Sequence, residues 1–271
     1  MAVGRGQVAE LEVLASGFRL AEAPRPAPGG GLYFSDVLGG GVRLWRDGMV
    51  EVVVPDRKGV GGLVPHRDGG LVVGGRSVQH VRDGGTRTLF EPDGISGFND
   101  LTTDAEGRVI VGALRFFPFK GEPPAPSPVW RSEGEGEATL LSDDAVLWPN
   151  GTGISPDGAI LYMSDYAQGL VHALELDAGP PLPQRVFAHA PRGSADGLAI
   201  DDAGCVWIAL GDGAGLARFT PAGDLDRVVD IPDAFVSSLC FDGETAYVTT
   251  GDSVLRGELG VAGRPATAAT I

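Results

Sequence analysis

One phrase recurs six times along this chain: a short apolar strand, a turn carrying Asp and Gly, and a second apolar strand. The copies cross their turns at 28–32, 66–71, 104–109, 155–160, 201–206 and 241–246, with Gly30, Gly69, Gly107, Gly158, Gly204 and Gly243 as markers. Turn glycines supply the positive φ that tight hairpins need. Behind each hairpin comes another apolar run, at 42–45, 78–81, 129–131, 170–176 and 216–219, and often one more, as at 50–54 and 185–188. Three to four strands per unit of roughly 40–45 residues is the pattern of a β-propeller blade. No segment longer than a turn or two has helical periodicity. The expectation is therefore an all-β, six-bladed propeller with four-stranded antiparallel blades, formed as one domain over residues 1–271. Few residues follow Gly243, whereas 10–15 offers a spare strand at the other end. That N-terminal strand is expected to complete the last blade and close the ring, hiding open sheet edges.

Within this frame four oxygen-bearing side chains lie at one offset, eight residues before a turn glycine: Glu22, Asn99, Asn150 and Asp196. The first strand of a propeller blade lines the central channel, so equal offsets mean equivalent places around the axis. The six-fold ring reads Glu22, Gly61, Asn99, Asn150, Asp196 and Phe235. Two carboxylates and two amides suit a hard divalent cation. Gly61, between Gly59 and Gly62, is expected to leave clearance beside this cage, and Phe235 to give an apolar wall. A single Asn or Asp at a strand start is ordinary turn chemistry; four at a common offset are not.

Other chemistry is poorly supported. Twenty-one Lys and Arg against 36 Asp and Glu give a formal charge of −15, which repels nucleic acid and anionic membranes. Residues 1–10 hold no apolar stretch like a signal peptide, and no window nears the roughly 18 apolar residues of a membrane span, so a soluble cytoplasmic protein is expected. Cys205 and Cys240 sit inside apolar runs and read as buried thiols. His66, His80, His172 and His189 lack metal-ligand spacing. Ser194 precedes Asp196 by two residues, but no Gly-x-Ser-x-Gly elbow exists. Asp36, Asp104, Asp157, Asp165 and Asp201 read as turn and backbone hydrogen-bonding residues. The Phe- and Pro-rich stretch 115–128 is expected to form a surface loop or lid, its Phe116, Phe117 and Phe119 facing either an apolar substrate or the loop itself.

The phrases Glu22-Ala23-Pro24 with 32–36, Phe98-Asn99-Asp100, Pro149-Asn150-Gly151 with Ser155-Pro156-Asp157-Gly158, and Asp196-Gly197-Leu198-Ala199 resemble the family of senescence marker protein (regucalcin), gluconolactonase and luciferin-regenerating enzyme. The resemblance spans about Glu22 to Thr250. It implies a metal-dependent hydrolase acting on sugar lactones or more apolar lactones. Glu22, Asn150 and Asp196 would be the metal ligands, and Asn99 would contact substrate or, in some members, the metal. Family members use calcium, zinc, magnesium or manganese; oxygen donors favour calcium. Asp196 is expected to take the proton of the attacking water, and Asn99 to donate a hydrogen bond to the ester or ring oxygen. The partner would be a small lactone or ester, with no nucleic acid or membrane; oligomeric state stays open. The alternatives are a phosphotriester-type hydrolase using the same residues, or a non-catalytic metal-binding or interaction propeller. Three positions depart from the family pattern: Gly97 stands where some members carry Arg, Arg25 and Pro26 follow Pro24 where Trp is usual, and Ala195 replaces Pro.

Overall fold

Six hydrophobic clusters, one at each junction between neighbouring sheets, organise the computed structural model. It describes residues 7, 8, 10–134 and 136–271; most of the segment 1–10 read above for a leader lies outside the described residues. Blade 1 runs Ala21–Pro26, Leu32–Asp36, Val42–Arg46 and Met49–Val54 from the channel outward, every neighbouring pair antiparallel. Blades 2, 3 and 4 repeat that order over Leu63–Phe90, Gly97–Val146 and Pro149–His189. Blade 5 comprises Leu198–Ile200, Val206–Ala209, Gly215–Phe219 and Leu225–Asp230, with Gln7–Val8 added in parallel outside it.

Blade 6 is where the ring closes. Its inner element, Val236–Thr250, is a hairpin: the Gly251 amide donates to the Phe235 carbonyl at 3.1 Å, and Gly243 turns the chain with φ 61°. Ser253–Gly263 follows, and Leu11–Ser16 pairs antiparallel outside it. The N-terminal strand thus completes the last blade, as expected, and Gly17–Leu20 leads straight into blade 1. Each first strand packs against the first strands of both neighbouring blades, so six of them encircle the channel. Among the described residues only two single-turn 3₁₀ helices occur, Pro118–Lys120 and Leu176–Ala178, and none is long and apolar enough to cross a membrane.

After Gly263 the chain does not simply end at blade 6. Residues 264–271 cross the turn-side face: Ala269 exchanges backbone bonds of 2.8 Å with Pro65 and Arg67, and the Thr270 amide donates to Gly107 at 2.9 Å. This strap was not foreseen from the sequence, because eight residues without alternation or turn signals carry no strand pattern.

Candidate functional site

A repeated irregularity sets the site. In blade 1, Glu22 faces Ser35 and Arg25 faces Tyr33, so one extra residue is inserted between them. Blade 3 has the same insertion between Phe98 and Leu101, and blade 4 between Pro149 and Thr152. These are β-bulges at the channel-side opening of each first strand. A bulge leaves its extra residue outside the ladder and re-aims a side chain; here the released segments carry Asn99 and Asn150, and in blade 1 the insert follows directly on Glu22, which stays paired with Ser35. In blade 1 the kink also puts Ala23 at φ 52°.

Backbone and side-chain groups at this level join blade to blade. Going round, Ser35 Oγ donates to the Val60 carbonyl (2.6 Å), the Phe98 amide to Gly75 (2.7 Å), and Asn99 Nδ2 to Pro149 (3.1 Å). The Gly151 amide donates to Asp196 (3.1 Å), Gly197 to Ser237 (2.8 Å), and Ser237 Oγ to Ala21 (2.7 Å). All six junctions are thus hydrogen-bonded at the level of the site. Such contact demands small residues: a Cβ on Gly151 would lie 2.3 Å from the Leu198 nitrogen and 2.5 Å from the Asp196 carbonyl oxygen. Two aspartates lock the segments entering the site. Asp36 accepts the amides of Arg19, Leu20 and Gly39 (3.2, 3.2 and 2.8 Å), ahead of Glu22. Asp165 accepts those of Leu147 and Trp148 (2.9 and 3.3 Å), ahead of Asn150. The turn-residue reading of Asp36 and Asp165 therefore holds, with the added consequence that both steady site segments.

Glu22, Asn150 and Asp196 are brought together and buried, at 7%, 7% and 3% exposure. Burial, then the charge of Asp196, pushes the Glu22 carboxyl well above its ordinary range, although the Ala23 amide donates to its Oε2 at 2.7 Å. Asp196 is likewise pushed well up by burial, with the Asn150 side chain beside it pulling the other way and Asp100 adding to the rise. Asp196 Oδ1 is buried without a hydrogen-bond partner. Like charges crowded together and an orphaned carboxylate oxygen are what a dication would relieve. Two carboxylates and amide oxygens therefore fit a hard divalent ion. Among the described residues no three His, Cys, Asp or Glu side chains gather to hold a metal; this donor set has only two carboxylates, its remaining oxygens being amides.

Asn99 joins the group but is partly engaged. Its Nδ2 donates to Pro149, and its Oδ1 would lie 2.1 Å from a Cβ on Gly61. Gly61 therefore does not leave open clearance as expected; the space is filled by Asn99, and its neighbour Gly62 packs on the Asp100 and Leu101 backbone.

Several site residues went unseen in the sequence. Trp148 and Tyr166 pack with their rings tilted at 49° and centroids 4.7 Å apart, and Phe116 meets Trp148 edge-on at 5.3 Å. Burial, then the Asp196 charge, pushes the Tyr166 phenol upward, marking it as a neighbour of the carboxylates. A Trp two residues before Asn150 was the available signal. The loop phenylalanines divide: Phe116 is buried, whereas Phe117 and Phe119 are 39% and 67% exposed, Lys120 Nζ lying 3.7 Å over the Phe117 ring. Ser194 lies beside Tyr166 at the site's edge, whereas other candidates carry no site role. His66 and His80 stack 4.0 Å apart at the turn side, and burial pushes the Cys240 thiol up to about 12, an inert form.

Comparison with known proteins agrees with this architecture. The family model described as SMP-30/Gluconolactonase/LRE-like region matches residues 20–252. A 6-deoxy-6-sulfogluconolactonase of Pseudomonas putida is 32% identical over 235 residues, 81% of this chain and 78% of the relative. Pentonolactonase XacC of Haloferax volcanii is 28% identical over 202 residues, covering 70% of this chain and 67% of that protein. The crystal structure of a calcium-binding protein, regucalcin, from Agrobacterium tumefaciens superposes with a TM-score of 0.84 at 20% identity, covering 98% and 99% of the two chains. By the match over residues 20–252 and the 32% identical Pseudomonas relative, the chain belongs to the SMP-30/gluconolactonase/LRE-like family.

Proposed function

We propose that the chain, acting as a single propeller domain, is a divalent-metal-dependent hydrolase that opens the ring of a sugar lactone. One observation carries this reading: Asp196 Oδ1 lies buried and unpartnered beside Glu22 and Asn150, in a family whose relatives include named sugar lactonases. Glu22, Asn150 and Asp196 would hold the ion, and calcium suits their hard oxygens; the Agrobacterium neighbour is itself named a calcium-binding protein. A bound dication supplies Lewis acidity toward a carbonyl oxygen and offsets the repulsion between the two carboxylates.

The chain's own residues do the rest. Asp196 takes the proton of the attacking water through the carboxylate oxygen that would not hold the ion. An Asn amide carries two N–H hydrogens. One on Asn99 is spent on Pro149, so the other is offered to the ring oxygen of the lactone. Trp148 and Tyr166 present aromatic faces against which the C–H face of a sugar ring can lie.

The test is acid release from a panel of sugar lactones, followed with a pH indicator, using protein stripped with EDTA and reloaded with one cation at a time. Turnover should require the cation and vanish in Asp196→Asn and Glu22→Gln. Full activity in the chelated protein would sink the proposal.

A further inference from the structure

Below the carboxylates the channel is crossed by an ion pair that no motif announced. Arg25 and Asp100 are 5% and 3% exposed, and Arg25 Nη2 lies 2.9 Å from Asp100 Oδ1. The guanidinium is fully oriented: Nη1 donates to the Pro24 carbonyl at 2.9 Å, and Nη2 also donates to Leu101 at 3.1 Å. Asp100 in turn accepts the Leu101 amide at 2.8 Å on Oδ1, and the Thr152 amide and hydroxyl at 3.0 and 3.4 Å on Oδ2. This network joins the first strands of blades 1, 3 and 4. It grips each within three residues of a site side chain: Arg25 after Glu22, Asp100 beside Asn99, Thr152 after Asn150. It also sits at the three bulges, Asp100 inside its own and Arg25 and Thr152 as the first paired residues after theirs, where the strand ladders are interrupted and do not themselves fix the spacing.

We propose that Arg25 and Asp100 are positioning residues for the divalent site, a charged crossbar that sets how far apart Glu22, Asn99 and Asn150 are held and keeps the Asp100 carboxylate committed away from the ion. The claim rests on the metal-binding reading above. A planar fork is needed for it: Lys would keep the charge but has one nitrogen in place of the two, Nη1 on Pro24 and Nη2 on Asp100 and Leu101. Residues that orient metal ligands typically change affinity about 10–100-fold when replaced.

The experiment uses the full chain, stripped and titrated calorimetrically with calcium alone, with thermal melting measured in parallel. Arg25→Lys and Asp100→Asn should each weaken calcium binding by about tenfold or more. The control is Arg218→Lys, which breaks a second buried pair in blade 5, Arg218 with Asp201 at 2.8 Å, remote from the site. It should lower the melting temperature while leaving calcium affinity unchanged. If the two crossbar variants melt lower but bind calcium like the parent, or if both fail to fold, the crossbar only supports the fold and the inference fails. If the parent binds no divalent cation at all, the metal-binding reading itself fails, a result separate from the first.

Discussion

Replacing Gly151 by Ala tests the blade-to-blade contact on which the site depends. The new Cβ would lie 2.3 Å from the Leu198 nitrogen, 2.5 Å from the Asp196 oxygen and 2.5 Å from the Gly197 carbonyl carbon, all backbone atoms with no rotamer to yield. Blades 4 and 5 must then part, at an overpacking cost of about 1–3 kcal/mol. The 3.1 Å bond from the Gly151 amide to Asp196 is strained or lost with it, adding about 1 kcal/mol. Together these are about 2–4 kcal/mol, a fall in melting temperature of roughly 5–15 °C for a domain of this size. Because the acceptor carbonyl belongs to Asp196, divalent-ion affinity should drop as well. Gly158→Ala is the comparison: its φ is +79° but nothing lies within 4 Å, so backbone strain of about 1 kcal/mol is all it should show. Melting curves by circular dichroism and a calcium titration read both effects. A Gly151→Ala protein that melts with Gly158→Ala and binds calcium normally would refute the reasoning.

Other expectations follow from the same contacts. Asp165→Ala strips acceptors from the Leu147, Trp148 and Gln168 amides, at 2.9, 3.3 and 3.2 Å, and should cost about 2–5 kcal/mol in a denaturant melt; an unchanged midpoint would contradict its role in holding the Asn150 segment. Cation affinity should climb with pH beyond the ordinary carboxylate range of about 4, since the raised Glu22 and Asp196 must shed protons to bind an ion. Affinity flat above that range would argue against those shifts. By the same linkage Glu22 and Asp196 contribute stability to the metal-free protein that is fully present below that range and is lost as pH rises through their raised values. Calcium should abolish that loss in melts run across pH, and melts of the metal-free protein that do not vary with pH would speak against it.

The wheel was legible because each blade repeats one strand–turn–strand phrase, and the channel-side group was legible because equal offsets from a turn translate into equal heights. That arithmetic survived the bulges only because the segments of Glu22, Asn99 and Asn150 each carry the same single insertion. What escaped lies in pairings with no local period. Arg25 stood out in the sequence merely as a departure from a familiar Trp, while its partner is 75 positions away. Trp148 with Tyr166 and the strap 264–271 are similar cases, fixed by tertiary contact and not by hydropathy. The Gly61 expectation failed because a missing side chain says nothing about which neighbour moves in; Asn99 did.

Since Asn99 and Asn150 sit in the unpaired inserts of their strands, between Phe98 and Leu101 and between Pro149 and Thr152, exchanging them for other polar groups removes no rung from either sheet. Reactivity and architecture are thereby uncoupled at those positions, so one wheel can try different chemistries at its hub while its rim stays as it was, and this chain is a practical starting point for redesigning the reaction without rebuilding the protein.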